Sequence, residues 1–71
     1  MSEPMPVPIS DESIRLGQFL KLANLVESGA EAKEVLQAGL VHVNDEIETR
    51  RGRRLGKGDV VRIAEQGARV G

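Results

Sequence analysis

The stretch Ser28-Gly29-Ala30-Glu31-Ala32-Lys33-Glu34-Val35-Leu36-Gln37-Ala38-Gly39-Leu40-Val41-His42-Val43-Asn44 contains the change of period on which the fold turns. Its first half reads as a helix. Ser28 stands at an N-cap position with Glu31 three residues on, the spacing of a capping box, in which two side chains take up N–H groups left unpaired by the first turn. Ala32, Val35 and Leu36 fall on one helical face. Gly39 stands where a left-handed residue ends a helix. Beyond it, Leu40-Val41-His42-Val43 reads as a strand, Asn44-Asp45-Glu46 as a tight turn and Ile47-Glu48-Thr49 as the returning strand. A helix of about ten residues is marginal in isolation, so it needs a partner to pack on.

That partner lies upstream. Leu16, Phe19, Leu20 and Ala23 are spaced i, i+3, i+4, i+7, one buried helical stripe, which Leu22, Leu25 and Val26 widen. Ser10 and Asp11 are placed to cap it. Gly17 interrupts the pattern at a cost of about 1 kcal/mol relative to Ala. It either admits another backbone at close range or is simply tolerated. All three prolines, Pro4, Pro6 and Pro8, fall within residues 1–9, which predicts an extended edge segment or a loose tail. Downstream, Gly56-Lys57-Gly58-Asp59 predicts a turn and Val60-Val61-Arg62-Ile63 a strand, and Ala68 to Val70 offers a further short one. The order is helix, helix, strand, hairpin, strand, with no repeat and no linker. It predicts one α+β domain over residues 1–71, two short helices packed on a small, mainly antiparallel sheet.

Composition narrows the function. A chain of 71 residues with no Cys and one His has no disulfide and little means of holding a metal. No cofactor is expected. Nothing approaches the ~20 apolar residues of a membrane span, and residues 1–10 lack the basic start and apolar run of a signal peptide. The expected address is the cytoplasm. His42 falls mid-strand, with no serine placed beside it by the sequence. Asp45, Glu46 and Glu48 lie on the hairpin, where solvation is expected. No glycine-rich phosphate loop is present. A catalytic constellation is missing, and neither an enzyme nor a small-molecule substrate is expected.

The charge is segregated. Residues 1–49 hold three basic and nine acidic groups, whereas residues 50–71 hold seven and two, so a net charge of −1 conceals a strong dipole. Arg50, Arg51, Arg53 and Arg54 occupy four of five positions, with Lys57 close behind. Like charges at this density repel and are expected to contribute nothing to folding, and arginine forks suit phosphate oxygens. A solvated loop is the plain alternative. Phe19, the one aromatic, belongs to the predicted core. Recognition by base stacking on aromatic rings is therefore disfavoured, and phosphate contacts and RNA shape are expected instead.

Four ordered stretches, Ile14-Arg15-Leu16-Gly17-Gln18-Phe19-Leu20-Lys21, Ser28 to Lys33, Gly39 to Asn44, and Gly58-Asp59-Val60-Val61, together resemble the S4 RNA-binding domain. The resemblance spans residues 14–63 and is nearest to the small stand-alone bacterial form, related to the YbcJ and YaaA proteins. It implies an αL motif, in which two helices and the hairpin region present a basic face to structured RNA. It implies that Arg15 opens the first helix and that Lys33 follows the alanine of the second. It also implies that Asn44 occupies the turn, and that Arg50, Arg51, Arg53 and Arg54 form the basic stretch. Three positions depart from the family pattern: Gly17 for Asp, Gly29 for Arg and Asp45 for the turn Gly. Asn44 has a second reading, as a residue that tolerates a left-handed turn. Arg15 has one too, as a partner of Asp11 or Glu12 on the same helix, and Lys33 as a solvated helix residue. Lys21 is a weaker candidate contact.

The expected function is thus non-catalytic binding of structured RNA, ribosomal RNA or a tRNA-like stem, through Arg15, Lys33, Asn44, Arg50, Arg51, Arg53, Arg54 and Lys57. The protein is expected to act as a monomer, with ribosome association among its roles. The alternative is a protein-interaction adaptor that sets the arginine-rich loop on an acidic partner.

Overall fold

The computed structural model describes residues 3–71. Its elements run β1 (Met5–Val7), β2 (Ser13–Arg15), α1 (Leu16–Leu22), α2 (Gly29–Gln37), β3 (Val41–Val43), β4 (Glu46–Ile47), β5 (Arg54–Gly56), β6 (Val60–Ile63) and β7 (Gln66–Val70). Five strands form one sheet in the order β1-β7-β6-β3-β4. Only its outer pair, β1 with β7, is parallel; the other neighbours are antiparallel. β2 and β5 form a separate antiparallel ribbon.

The switch at Gly39 is built as its residues dictate. Ser28 Oγ accepts from the Glu31 N–H at 3.1 Å. The Glu31 carboxylate reaches back to the Glu27 N–H at 2.6 Å, one residue further than a standard capping box. At the other end Gly39 takes φ +73°. Its N–H donates to Leu36 O and that of Leu40 to Val35 O, both at 3.1 Å, the two bonds of a Schellman motif. α1 ends in the same way, with Asn24 at φ 59° in the glycine's place and Leu25 N–H donating to Leu20 O at 3.0 Å.

The core lies between the helices and one face of the sheet. Leu16, Phe19, Leu20 and Leu36 meet Val41, Val43, Val61 and Val70 there, and each is fully buried or nearly so. Alternation does the rest. Val41 and Val43 are buried while His42 between them is not, and Ala68 and Val70 are buried while Arg69 is exposed. In the proline-rich start, Met5 to Val7 takes the extended-edge form, running beside Ala68 to Val70. Met1 and Ser2 lie outside the described residues. Pro6 is tolerated because an outermost strand leaves one row of N–H groups without a ladder partner.

Two expectations are corrected. Ser10 and Asp11 do not cap α1. Residues 13–15 are drawn into β2 by pairing Ser13 with Gly56, Ile14 with Leu55 and Arg15 with Arg54. The helix starts at Leu16 with Arg15 as an extended N-cap residue whose side chain makes no capping bond. Arg15 accordingly is not a helical residue paired with Asp11 or Glu12. The arginine-rich segment is likewise not all loop: its end is strand β5, and Leu55 there is fully buried. Neither three-residue strand has enough residues to show a period of two, so the ribbon left no pattern to read.

Leu55 is the residue that ties this ribbon to the core. Replacing it with Ala is predicted to cost about 2–5 kcal/mol, a large part of what a domain this small possesses. Urea denaturation reads this directly, and an unchanged midpoint would mean that the ribbon is not part of the cooperative unit.

Candidate nucleic-acid interface

The first turn of any helix presents N–H groups with no partner inside the helix. In α1 the first two are met from outside. Leu16 N–H donates to Arg53 O at 2.7 Å and Gly17 N–H to Arg51 O at 3.0 Å. The Arg15 guanidinium adds a bond from Nη1 to Gly52 O at 3.0 Å. Three consecutive residues thus hold three of the five residues of the arginine segment through their backbones. This settles the role of Gly17, left open by the sequence. A Cβ there would lie 2.5 Å from Arg51 Cγ and 3.1 Å from its Cδ, so the residue admits the arginine segment at close range.

Glu48 organises the other side of the segment. It was expected to be solvated and is instead 6% exposed. Its Oε2 accepts from the N–H groups of Thr49 and Arg50 at 2.9 and 3.0 Å and from Arg50 Nε at 3.2 Å. Its Oε1 accepts from Arg50 Nη2 and Arg53 Nη1, both at 3.1 Å. The side-chain bond from Arg50, helped by the Arg50 N–H and by Arg53 against the opposing effect of burial, lowers the Glu48 pKa to about 2. Arg50 and Arg53 therefore do contribute to folding, contrary to expectation. They turn the backbone around one carboxylate, and offsets of two and five residues carry no periodic signal that would have revealed it.

The remaining cations have no such partner. The side chains of Arg51, Arg54, Lys21, Lys33 and Lys57 make no hydrogen bond or ion pair among the described residues. Arg51 stands between two concavities. A groove of about 440 Å³ is lined by Arg15, Gly17, Gln18, Lys21, Gly29, Ala32, Arg51 and Gly52. A smaller one of about 210 Å³ is lined by Lys33, Leu36, Gln37, Thr49 and Arg51. Arg15, Arg51, Lys21 and Lys33, distant in sequence, so come together around the junction of α1, α2 and the arginine segment. Gln18 joins them and was not singled out from the sequence. Its signal was the i, i+3 spacing of Arg15, Gln18 and Lys21.

Other candidates lie apart from these grooves. Lys57 sits in the turn from β5 to β6. Arg54 is exposed on β5, opposite Arg15 in the ribbon. Asn44 opens the β3–β4 turn, where it takes φ 51° and Asp45 takes φ 71°. Both amide groups of its side chain are engaged within the fold. Nδ2 donates to Asp59 Oδ1 at 3.0 Å and Oδ1 accepts from the Val60 N–H at 3.0 Å. That bond to Asn44, with one from the Gly56 N–H, holds the Asp59 pKa below the ordinary carboxylate value. The left-handed reading of Asn44 is thus the one its conformation displays. His42 is half-buried in β3. Among the described residues there is no cluster of three or more His, Cys, Asp or Glu suited to a metal, and no helix long and apolar enough to cross a membrane.

Two helices, a mainly antiparallel sheet and an arginine segment locked against the first helix define the class. The chain belongs to the S4 domain family, whose model matches residues 7–71. The match extends beyond the resemblance read over residues 14–63, taking in β7 and the segment that leads from Val7 to β2. Among individual relatives, the probable ribosome maturation protein RlbA of Bacillus subtilis (strain 168) is 55% identical over 58 residues, 82% of this chain and 82% of the relative.

Two predictions test the scaffold of this site. Glu48 has a folded pKa lowered from 4.5 to about 2. Its contribution to stability is thus fully present above pH ~4.5 and is lost as pH falls towards ~2, because only the unfolded chain takes up the proton in that interval. Glu48→Gln is predicted to flatten the pH dependence of urea stability across this window. At neutral pH it should cost about 1.5–3 kcal/mol, nearer the lower figure because Arg50 is well exposed to solvent. An unaltered acid limb would overturn the assignment. Gly17→Ala gains helix propensity yet is predicted to lose about 1–2 kcal/mol net, since Arg51 must move away. A stabilised variant in the same denaturation experiment would refute the close approach.

Proposed function

We propose that the protein is a non-catalytic RNA-binding module that grips structured RNA by its phosphates, and that ribosomal RNA is its target. The observation that carries this reading is the position of Arg51. It is a cation without a partner, held by its own carbonyl against α1 and set between two grooves that also gather Arg15, Lys21 and Lys33. A fold that only needed a solvated loop has no reason to place four cations, from β2, α1, α2 and the arginine segment, around one junction. Guanidinium groups suit phosphate oxygens, and a fixed backbone at Arg51 keeps its group near the site. The choice of ribosomal RNA over a tRNA-like stem follows the relative, which is named as a probable ribosome maturation protein.

Within this reading the arginines divide by task. Arg50 and Arg53 shape the segment through Glu48, and their outward donors add to the field. Arg51 and Arg15 make the central contacts, Lys33 and Lys21 flank them, and Arg54 and Lys57 extend the surface. Asn44 acts on the turn that backs it. The protein works as a monomer in the cytoplasm.

Titration of the protein against a folded ribosomal RNA fragment at several salt concentrations tests the proposal. Each phosphate neutralised contributes about −0.7 to −0.9 to the slope of log affinity against log salt. Arg51→Ala and Arg15→Ala are each predicted to reduce that slope by about one phosphate and to weaken binding across RNA sequences alike. Arg54→Ala, at the margin, is predicted to do less. Affinity that is flat with salt, or that survives the Arg15/Arg51 double replacement, would rule the reading out.

A further inference from the structure

The groove of about 440 Å³ combines exposed cations with small residues. Ala32 is buried at its base, the aliphatic stem of Arg51 lies over the buried Gly17 beside it, and a Cβ placed on Gly29 meets nothing within 4 Å. Its lining alternates three glycines and an alanine with the long side chains of Arg15, Gln18, Lys21 and Arg51. Its charges, from Arg15, Lys21 and Arg51, come from exposed residues, and so surround the opening. A phosphodiester backbone is convex and strongly hydrated. It is served by the cations at the opening, and it leaves a hollow with small apolar residues at its base unfilled. The volume falls within the range of sites that enclose small ligands, about 300–1,000 Å³.

We infer that this groove receives one unstacked nucleobase, a bulged or looped-out residue of the bound RNA, while its flanking phosphates rest on Arg15, Lys21 and Arg51. The inference rests on the RNA-binding reading above and adds what the site selects. Three features of the groove match that occupant. The Ala32 methyl and the open side at Gly29 leave room for a flat ring. The guanidinium plane of Arg51, the exposed cation closest to Gly17, offers a face on which a base can stack without any aromatic residue. Gln18 presents an amide with both a donor and an acceptor, the pairing chemistry of a base edge. Structured RNA supplies such nucleotides at bulges and loops, whereas an uninterrupted duplex does not. The protein thus distinguishes an irregular stem from a regular one, a selection that phosphate contacts alone do not make.

The test uses the full chain and three hairpin RNAs of one sequence: fully paired, with a single-nucleotide bulge, and with an abasic residue at the bulge. Fluorescence anisotropy is expected to show the bulged hairpin bound about tenfold more tightly than the paired one, within what stacking of one base contributes. The abasic hairpin should fall back towards the paired one, since it keeps the bend and the phosphates but lacks the base. Gly29→Leu, at an open and exposed position, fills the groove and is expected to bring the preference close to one. Gly29→Ala leaves most of the space and should retain it. Circular dichroism confirms that both variants are folded. If bulged and paired hairpins bind alike, or if the preference survives Gly29→Leu, the groove does not select a base, and the phosphate-binding reading stands without it. If no hairpin binds, both fall.

Discussion

Everything in this fold that bears on RNA depends on how the first helix is capped. α1 has no side-chain cap, and its first N–H groups would be left unpaired at a part-buried helix end. The carbonyls of Arg51 and Arg53 supply the missing acceptors. One pair of hydrogen bonds thereby satisfies the first two N–H groups of the helix, fixes the course of the most basic segment and brings residues 51–53 beside residues 15–17. The β2–β5 ribbon continues the same contact outward, and Leu55 anchors it in the core. Gly17 makes the approach sterically possible.

A dense run of arginines is self-repelling, and a slightly acidic protein of this size has little stability with which to hold one in place. Glu48 resolves much of that difficulty. A single carboxylate, almost out of solvent, accepts five hydrogen bonds from Thr49, Arg50 and Arg53. Two of the four arginines are thus spent on the loop's conformation, which leaves Arg51 and Arg54 without internal partners. The division explains how a chain of net charge −1 presents a concentrated cationic surface. The long-range field comes from the whole C-terminal third, and the short-range geometry comes from a few residues whose backbones are fixed.

The hairpin end of the molecule follows a similar economy of parts. Asn44 and Asp45 both take left-handed conformations, which suits the twist of a two-residue turn. The Asn44 amide then joins that turn to the start of β6, and Asp59 receives it while also closing the turn after β5. Two turns are linked by two short polar side chains. In a domain without disulfides, such links substitute for a larger core.

The sequence by itself determined the second helix, its two caps, the strand that follows Gly39 and the strand at residues 60–63. Each of these is written in local terms, as a cap, a left-handed residue or a period, and local terms survive in a linear chain. It also identified the arginine segment and, through the resemblance, the family. Only the tertiary structure decided where α1 begins, what Gly17 is for, that Glu48 is buried, and which arginines remain free. Each of those depends on a partner about 35 residues away, or on a turn with no period. Backbone pairing of β2 with β5 outweighed the caps offered by Ser10 and Asp11. A carboxylate that looked solvated on a hairpin became the fixed point of the loop, because two guanidinium groups folded back onto it.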